Sequence, residues 1–209
     1  MISKVKMGEL LEPSYFLEED VVYMARDLLG KEILTNIDGQ VCRARITETE
    51  AYRAPDDKAC HAYSNRRTSR TETMFSEGGT AYIYLCYGIH HLFNIVTAPA
   101  DTAHAVLIRA VEPIENTDLM LQRRGMKKVT PALTAGPGRW TQAMGITTSL
   151  DSIKLYSPDS PIQLYAGEGI TEDEKIATST RIGVDYAGDC ALRPWRFFIE
   201  KNRWVTRHR

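Results

Sequence analysis

The chain has 209 residues, 25% of them charged, and a formal net charge of −1. That length suits one domain spanning residues 1–209 with a sizeable core, and the near-neutral balance argues against generic affinity for nucleic acid. No apolar run reaches the roughly 18 residues that a membrane span requires.

Charge is not evenly spread. Arg66, Arg67 and Arg70 cluster in one polar stretch, Arg123, Arg124, Lys127 and Lys128 in another, and basic residues recur from Arg193 to Arg209. Each cluster alone reads as solvated charge; three together make a one-sided basic surface plausible. The N-terminal "MISKVKMGELLEPSYF" has no apolar centre of the kind a secretory signal needs, so a cytoplasmic protein is expected. Cys42, Cys60, Cys86 and Cys190 are scattered without a C-x-x-C pair and read as free thiols.

In chain order, "LEEDVVYMARDLLG" has apolar residues at helical spacing, acids at its start and a glycine stop. "KEILTNIDGQVCRARITETEAY" reads as a hairpin turning at Asp38-Gly39. Within it, period-two alternation puts Cys42, Ala44, Ile46, Glu48, Glu50 and Tyr52 on one face, unless a bulge intervenes. "RAPDDKACHAYSNRRTSRTE" is polar and irregular. "TAYIYLCYGIHHLFNIVTA" suggests two strands meeting near Gly88, and "HAVLIRAVEPIE" another strand ending at Pro113. "TDLMLQRRG" is a short helix, and "TAGPGRWTQAMGI" opens a further one. "IQLYAGEGI", "STRIGV" and "PWRFFIE" are short β-like runs. Helices interspersed among strands without a βαβ rhythm indicate a mixed α+β fold.

Several residues are candidates for chemistry. Glu48 and Glu50 are either an exposed pair on a strand or, if half-buried, include a carboxylate suited to general-base work. His61 in its loop reads as a surface residue, and its neighbours lack metal-ligand spacing, so no metal is expected. Tyr82 and Tyr84 share a strand face and Tyr87 precedes Gly88. They suit core packing, base stacking or, for Tyr87, a wedge into a base stack. Asn94 and Arg109 interrupt apolar runs and so are structural hydrogen-bonders or site residues. "AGPGRW", with Gly136, Gly138 and Arg139, resembles a helix start offering amides to a phosphate, although it matches no phosphate-loop motif.

Five fragments in order, "TETEAY…DDKACH", "GTAYIYLCYGIHHLFNIV", "VLIRAVEP", "AGPGRW" and "RIGVDYAGDCALRPWRFF", resemble the mammalian-type alkyladenine (3-methyladenine) DNA glycosylase family, from about Leu11 to Trp204. The resemblance implies a compact α+β domain with a curved antiparallel sheet and surrounding helices. It also implies a monofunctional base-excision enzyme without metal, acting on duplex DNA containing alkylated or deaminated purines; no cofactor is expected, and a monomer suits a repair enzyme that scans DNA. By position, Glu50 matches the catalytic acid that activates water. Tyr52, His61 and Tyr84 match the aromatic pocket, and Asn94 the asparagine that disfavours normal guanine. Tyr87 matches the intercalating tyrosine, and Arg109 an arginine near the DNA backbone and flipped nucleotide. His90 stands where a bulkier aromatic is usual. The rival readings are a non-catalytic nucleic-acid-binding module that stacks bases on tyrosines, and a hydrolase of free nucleosides.

Overall fold

The protein is described from a computed structural model covering residues 8–206. The N-terminal stretch weighed above as a signal therefore begins, and the basic C-terminal cluster ends, outside the described residues. The described residues form an eight-stranded antiparallel sheet with three α-helices and several 3-10 turns against it. The strands are β1 (Glu32–Ile37), β2 (Gln40–Arg53), β3 (Ala81–Cys86), β4 (His90–Thr97), β5 (His104–Glu115), β6 (Ile162–Tyr165), β7 (Ile176–Ser179) and β8 (Arg196–Ile199). Their order is β3-β4-β5-β2-β1-β6. β2 is long enough to take two partners on one side: its first half pairs with β1, and its residues Glu48–Glu50 pair with β8. The α+β expectation holds.

Local chemistry explains the main elements. Helix α1 (Val21–Asp27) starts at Asp20, whose carboxylate accepts from the amides of Val22 and Tyr23 at 2.9 and 3.0 Å. Both hairpins turn where expected: Asp38-Gly39 is a two-residue connection between Ile37 and Gln40, and Tyr87-Gly88-Ile89 is a three-residue one between Cys86 and His90, in which the Ile89 amide donates back to Cys86 O at 3.1 Å. Asp38, Gly39, Tyr87 and Gly88 all have positive φ, as type I′ geometry demands. Helix α2 (Thr117–Arg124) ends on left-handed Gly125. Helix α3 (Pro137–Met144) carries Pro137 at its first position, and its Trp140 is fully buried. The Trp140 indole donates to Ile108 O at 2.9 Å and meets the Phe93 ring edge-on, which pins α3 to β4 and β5.

Three expectations are corrected. β5 runs two residues past Pro113 before it ends. "STRIGV" is not a strand: only Ser179 belongs to β7, and Arg181 to Val184 form an irregular passage that closes over the site. The alternation in β2 breaks. Ile46 faces Val111 and Glu48 faces Ala110, leaving Thr47 as an extra residue on β2; the next step skips Arg109 on β5. Bulges on both strands shift the phase. Cys42, Ala44 and Ile46 point into the main core, as do Val106, Ile108 and Val111, and after the bulge Ala51 takes the core side. Glu48, Glu50 and Tyr52 therefore lie opposite Ile46, on the face that Arg109 also occupies.

Candidate active site

Tyr52 of β2 and Ala105, Leu107 and Arg109 of β5 form the floor of a cavity of about 520 Å3, with the bulged segment of β2 beneath it. β3 and β4 supply Tyr82, Tyr84 and Asn94 to one wall. The irregular stretch after β2 supplies His61 and Arg70, and the passage after β7 supplies Ile182, Val184 and Tyr186. The registers explain the grouping. Asn94 pairs with both Tyr82 and Leu107, and Glu50 pairs with Leu107, so all project from one face of the curved sheet.

Glu50 is fully buried at this floor. Its Oε1 accepts from the Ile182 amide at 2.8 Å and is ion-paired with Arg109 Nη1 at 3.2 Å, and its Oε2 accepts from the Tyr52 hydroxyl at 2.7 Å. All three of these partners line the cavity. A carboxylate has about four lone-pair positions, so Oε2 keeps acceptor capacity for one further donor. Burial, then the Glu50 charge and its hydrogen bond, push the Tyr52 hydroxyl well above the usual tyrosine range, so it remains a donor. Glu48, also fully buried, accepts from Arg109 Nε at 3.0 Å and Arg196 Nε at 2.7 Å through Oε1, and from the Thr206 amide at 2.7 Å through Oε2. Two carboxylates and two guanidiniums thus balance one another beneath the cavity.

The aromatic wall is ordered by contact. The rings of His61 and Tyr84 meet at 4.7 Å and 72°, and those of Tyr82 and Tyr84 lie 5.5 Å apart. His61 Nδ1 is 2.9 Å from the Tyr82 hydroxyl. Burial, then the Arg70 charge, lower the His61 pKa to about 4, so the ring is neutral at physiological pH. Behind Tyr52, the Arg181 guanidinium lies 4.8 Å from the ring centre and is ion-paired to fully buried Asp57. Asn94 Nδ2 donates to Tyr82 O at 3.1 Å, which fixes the orientation of the amide.

At the rim, Tyr87 stands at the tip of the β3–β4 hairpin and is 92% exposed, beside Ile89. The helix start at "AGPGRW" differs from a phosphate cradle. Pro137 has no N–H, and the amides of Arg139 and Trp140 return to Gly136 O at 3.0 and 3.1 Å. Gly138 is required for space instead: a Cβ there would come within 2.8 Å of the His90 ring. Arg139 stays exposed beside a second groove next to Tyr87.

The sequence matches the family model described as methylpurine-DNA glycosylase over residues 15–203. The chain belongs to the methylpurine-DNA glycosylase family. It is 46% identical over 191 residues to the "Putative 3-methyladenine DNA glycosylase" of Chlamydia pneumoniae, covering 91% of this chain and 95% of that protein. It is also 41% identical over 201 residues to the protein of the same name from Bacillus mycoides, covering 93% of this chain and 98% of that one.

Of the positions matched to the family, Tyr52, His61, Tyr84, Asn94 and Arg109 come together at the cavity, with Glu50 bonded beneath it and Tyr87 at its mouth. Arg109 is buried in the carboxylate network rather than lying on the outer surface. His61 is a cavity wall, not the surface histidine its loop suggested. Arg181, Asp57 and the Ile182 amide escaped the sequence reading. A backbone donor leaves no mark in a sequence, and the Arg181–Asp57 pair is separated by 124 positions. No helix among the described residues is long and apolar enough to cross a membrane.

Proposed function

We propose that the chain hydrolyses the N-glycosidic bond of alkylated purines in duplex DNA, taking the damaged nucleotide out of the stack and leaving an abasic site. The observation that carries this reading is Glu50: a buried carboxylate whose two hydrogen-bond donors and ion-pair partner all line an aromatic cavity, in a member of this family. The Ile182 amide, Arg109 and Tyr52 hold the carboxylate in one orientation. Its Oε2 takes a proton from the water that attacks C1′ as the base departs. The extruded base stacks between Tyr52 and the His61–Tyr84 wall, each aromatic contact returning about 1–3 kcal/mol. That offsets the few kcal/mol, roughly, needed to unstack it. Asn94, anchored to Tyr82 O, presents its amide to the base edge and disfavours the amino group of normal guanine. Deaminated purines are accepted as a second class.

Tyr87 enters the gap left in the duplex. Its exposure at a tight turn beside the cavity mouth supports this. Arg139 and the Gly136–Gly138 turn contact the DNA backbone from the adjoining groove. We infer no strand cleavage, since the chemistry proceeds through water at Glu50 and no lysine is among the residues described around the cavity. The protein acts as a monomeric single domain in the cytoplasm.

The test is a base-release assay on methylated duplex with Glu50→Gln alongside. The native protein releases 3-methyladenine, and the variant binds the same duplex but turns over at least about 100-fold more slowly. Equal activity in the two would sink the mechanism. Normal binding without release by the native protein would instead favour a stacking module, and indifference to competing undamaged duplex would favour a nucleoside hydrolase.

A further inference from the structure

Three arginines stand at or behind the cavity wall, and two are neutralised. Arg109 is ion-paired to Glu48 and Glu50, and Arg181 to Asp57. Arg70 is different. It lines the cavity, is exposed, and has no carboxylate within ion-pair distance among the described residues. Glu72 on its own stretch and Asp101 ahead of β5 are both engaged by Arg67, and Asp151, the acid that acts on Tyr82, accepts from the Thr73 hydroxyl and the Ile83 amide. Arg70 holds two ring contacts instead. Its guanidinium lies 5.7 Å from the centre of the Tyr84 ring, and its Nη2 lies 3.4 Å from His61 Nε2.

A guanidinium only donates, so the His61 nitrogen facing it is the unprotonated one. The ring hydrogen then sits on Nδ1 and points at the Tyr82 oxygen, 2.9 Å away. Both nitrogens of a neutral imidazole are thereby engaged. The wall that would stack on a base thus carries one uncompensated positive charge, with the neutralised Glu50–Arg109 floor opposite. Electron-rich rings by themselves attract a cationic purine. Here Tyr84 already has a cation over its ring, and a second cation entering the cavity meets an Arg70 that is in no ion pair among the described residues.

We propose that Arg70 is a specificity-determining residue that biases the cavity against cationic alkylated purines and toward neutral damaged ones. A neutral purine brings no charge to be repelled, and its ring nitrogens and carbonyl oxygen can accept from the guanidinium. The inference rests on the glycosylase reading above. At a separation of about 6–7 Å, with an effective dielectric between that of a protein surface and water, a unit charge changes relative affinity by roughly three- to tenfold.

The experiment measures single-turnover release from one duplex sequence carrying either 7-methylguanine, a cation, or hypoxanthine, a neutral base. Arg70→Gln and Arg70→Lys are compared with the native protein. Arg70→Gln is expected to raise the ratio of 7-methylguanine to hypoxanthine release by about three- to tenfold, while Arg70→Lys keeps the native ratio. Since Arg70 is exposed, both variants should fold, and a melting curve checks this. An unchanged ratio overturns the proposal. That includes the case in which Arg70→Gln slows both substrates equally and weakens binding to undamaged duplex, the mark of a simple phosphate contact through the neighbouring Arg66–Thr68–Thr71 pocket. Absence of release of either base by the native protein overturns the glycosylase reading and this proposal with it, a result distinct from an unchanged ratio.

Discussion

At the scale of single residues, the site depends on which groups are kept charged and which neutral. Glu50 is met by two hydrogen-bond donors and the Arg109 guanidinium, and Tyr52 is the one whose removal is least disruptive. Tyr52→Phe keeps the ring but frees Oε2. It should lower single-turnover base release by about 3- to 30-fold, the worth of one charge-assisted hydrogen bond, while leaving duplex affinity unchanged. Equal loss of affinity would show that the hydroxyl contacts the ligand instead. His61 gives a pH prediction. Its folded pKa, about 4, lies below its unfolded value near 6.5. Between these values the unfolded chain binds more protons, so the stability contribution of neutral His61 is complete above pH 6.5 and is lost as pH falls toward 4. This is opposite in sign to a histidine gaining an acidic partner. Denaturation of His61→Gln between pH 4 and 7 should show a shallower fall in stability than the native chain, and parallel curves would refute the assignment.

At the scale of elements, the β3–β4 hairpin shows a local rule broken for use. A turn with positive φ at both central positions favours Asn-Gly, yet Tyr87 occupies the first of them at φ +50° with its ring exposed. A tyrosine held in the left-handed region costs of order 1 kcal/mol. Tyr87→Asn should therefore raise the unfolding free energy by about 0.5–1 kcal/mol while lowering base release from duplex by tenfold or more. A melt beside an activity assay checks both directions. A variant that loses stability would mean that the ring packs within the fold. The second element is the passage after β7. Its Arg181 is anchored at both ends of the guanidinium by Asp57, and also donates to Ala51 O and Cys190 O. Asp57→Asn leaves a buried cation unpaired and should cost about 3–5 kcal/mol, read by urea unfolding. Tyr52 would lose the support behind its ring along with it.

At the scale of the whole molecule, distant segments meet at two carboxylates two residues apart. β5 brings Arg109, β8 brings Arg196, the passage after β7 brings the Ile182 amide, and the C-terminal stretch brings the Thr206 amide to Glu48. Thr206 O accepts from Arg196 in return. A chain ending at Trp204 should therefore lose roughly 1–3 kcal/mol for each group left unsatisfied. It should also slow base release more than it weakens DNA binding, because Arg109 loses part of its fixed setting. Thermal unfolding with single-turnover kinetics tests this, and native-like values for both would show the strap to be dispensable. The same long-range assembly explains how much of the molecule was legible beforehand. The hairpins at Asp38-Gly39 and Tyr87-Gly88, the Asp20-capped helix and the shared face of Tyr82 and Tyr84 are set by neighbours within a few residues. The mis-assigned "STRIGV" passage and the broken phase at Thr47 are not, since both depend on what β5 and β8 place beside β2.

By itself, the sequence determined the kinds of residue in the site, the turns that present Tyr87 and the α+β class, because turn chemistry and periodicity are local. Ordered motifs over nearly the whole chain also revealed the family. Only the tertiary structure decided that Glu48 and Glu50 leave the face of Ile46, since paired bulges reverse a strand's alternation. It alone showed that Arg109 and Arg196 balance the two acids, that Arg181 backs Tyr52, and that Arg70 is left without a counter-charge. Burial and ion pairing belong to residues far apart in the chain, and no local pattern encodes which of them will meet.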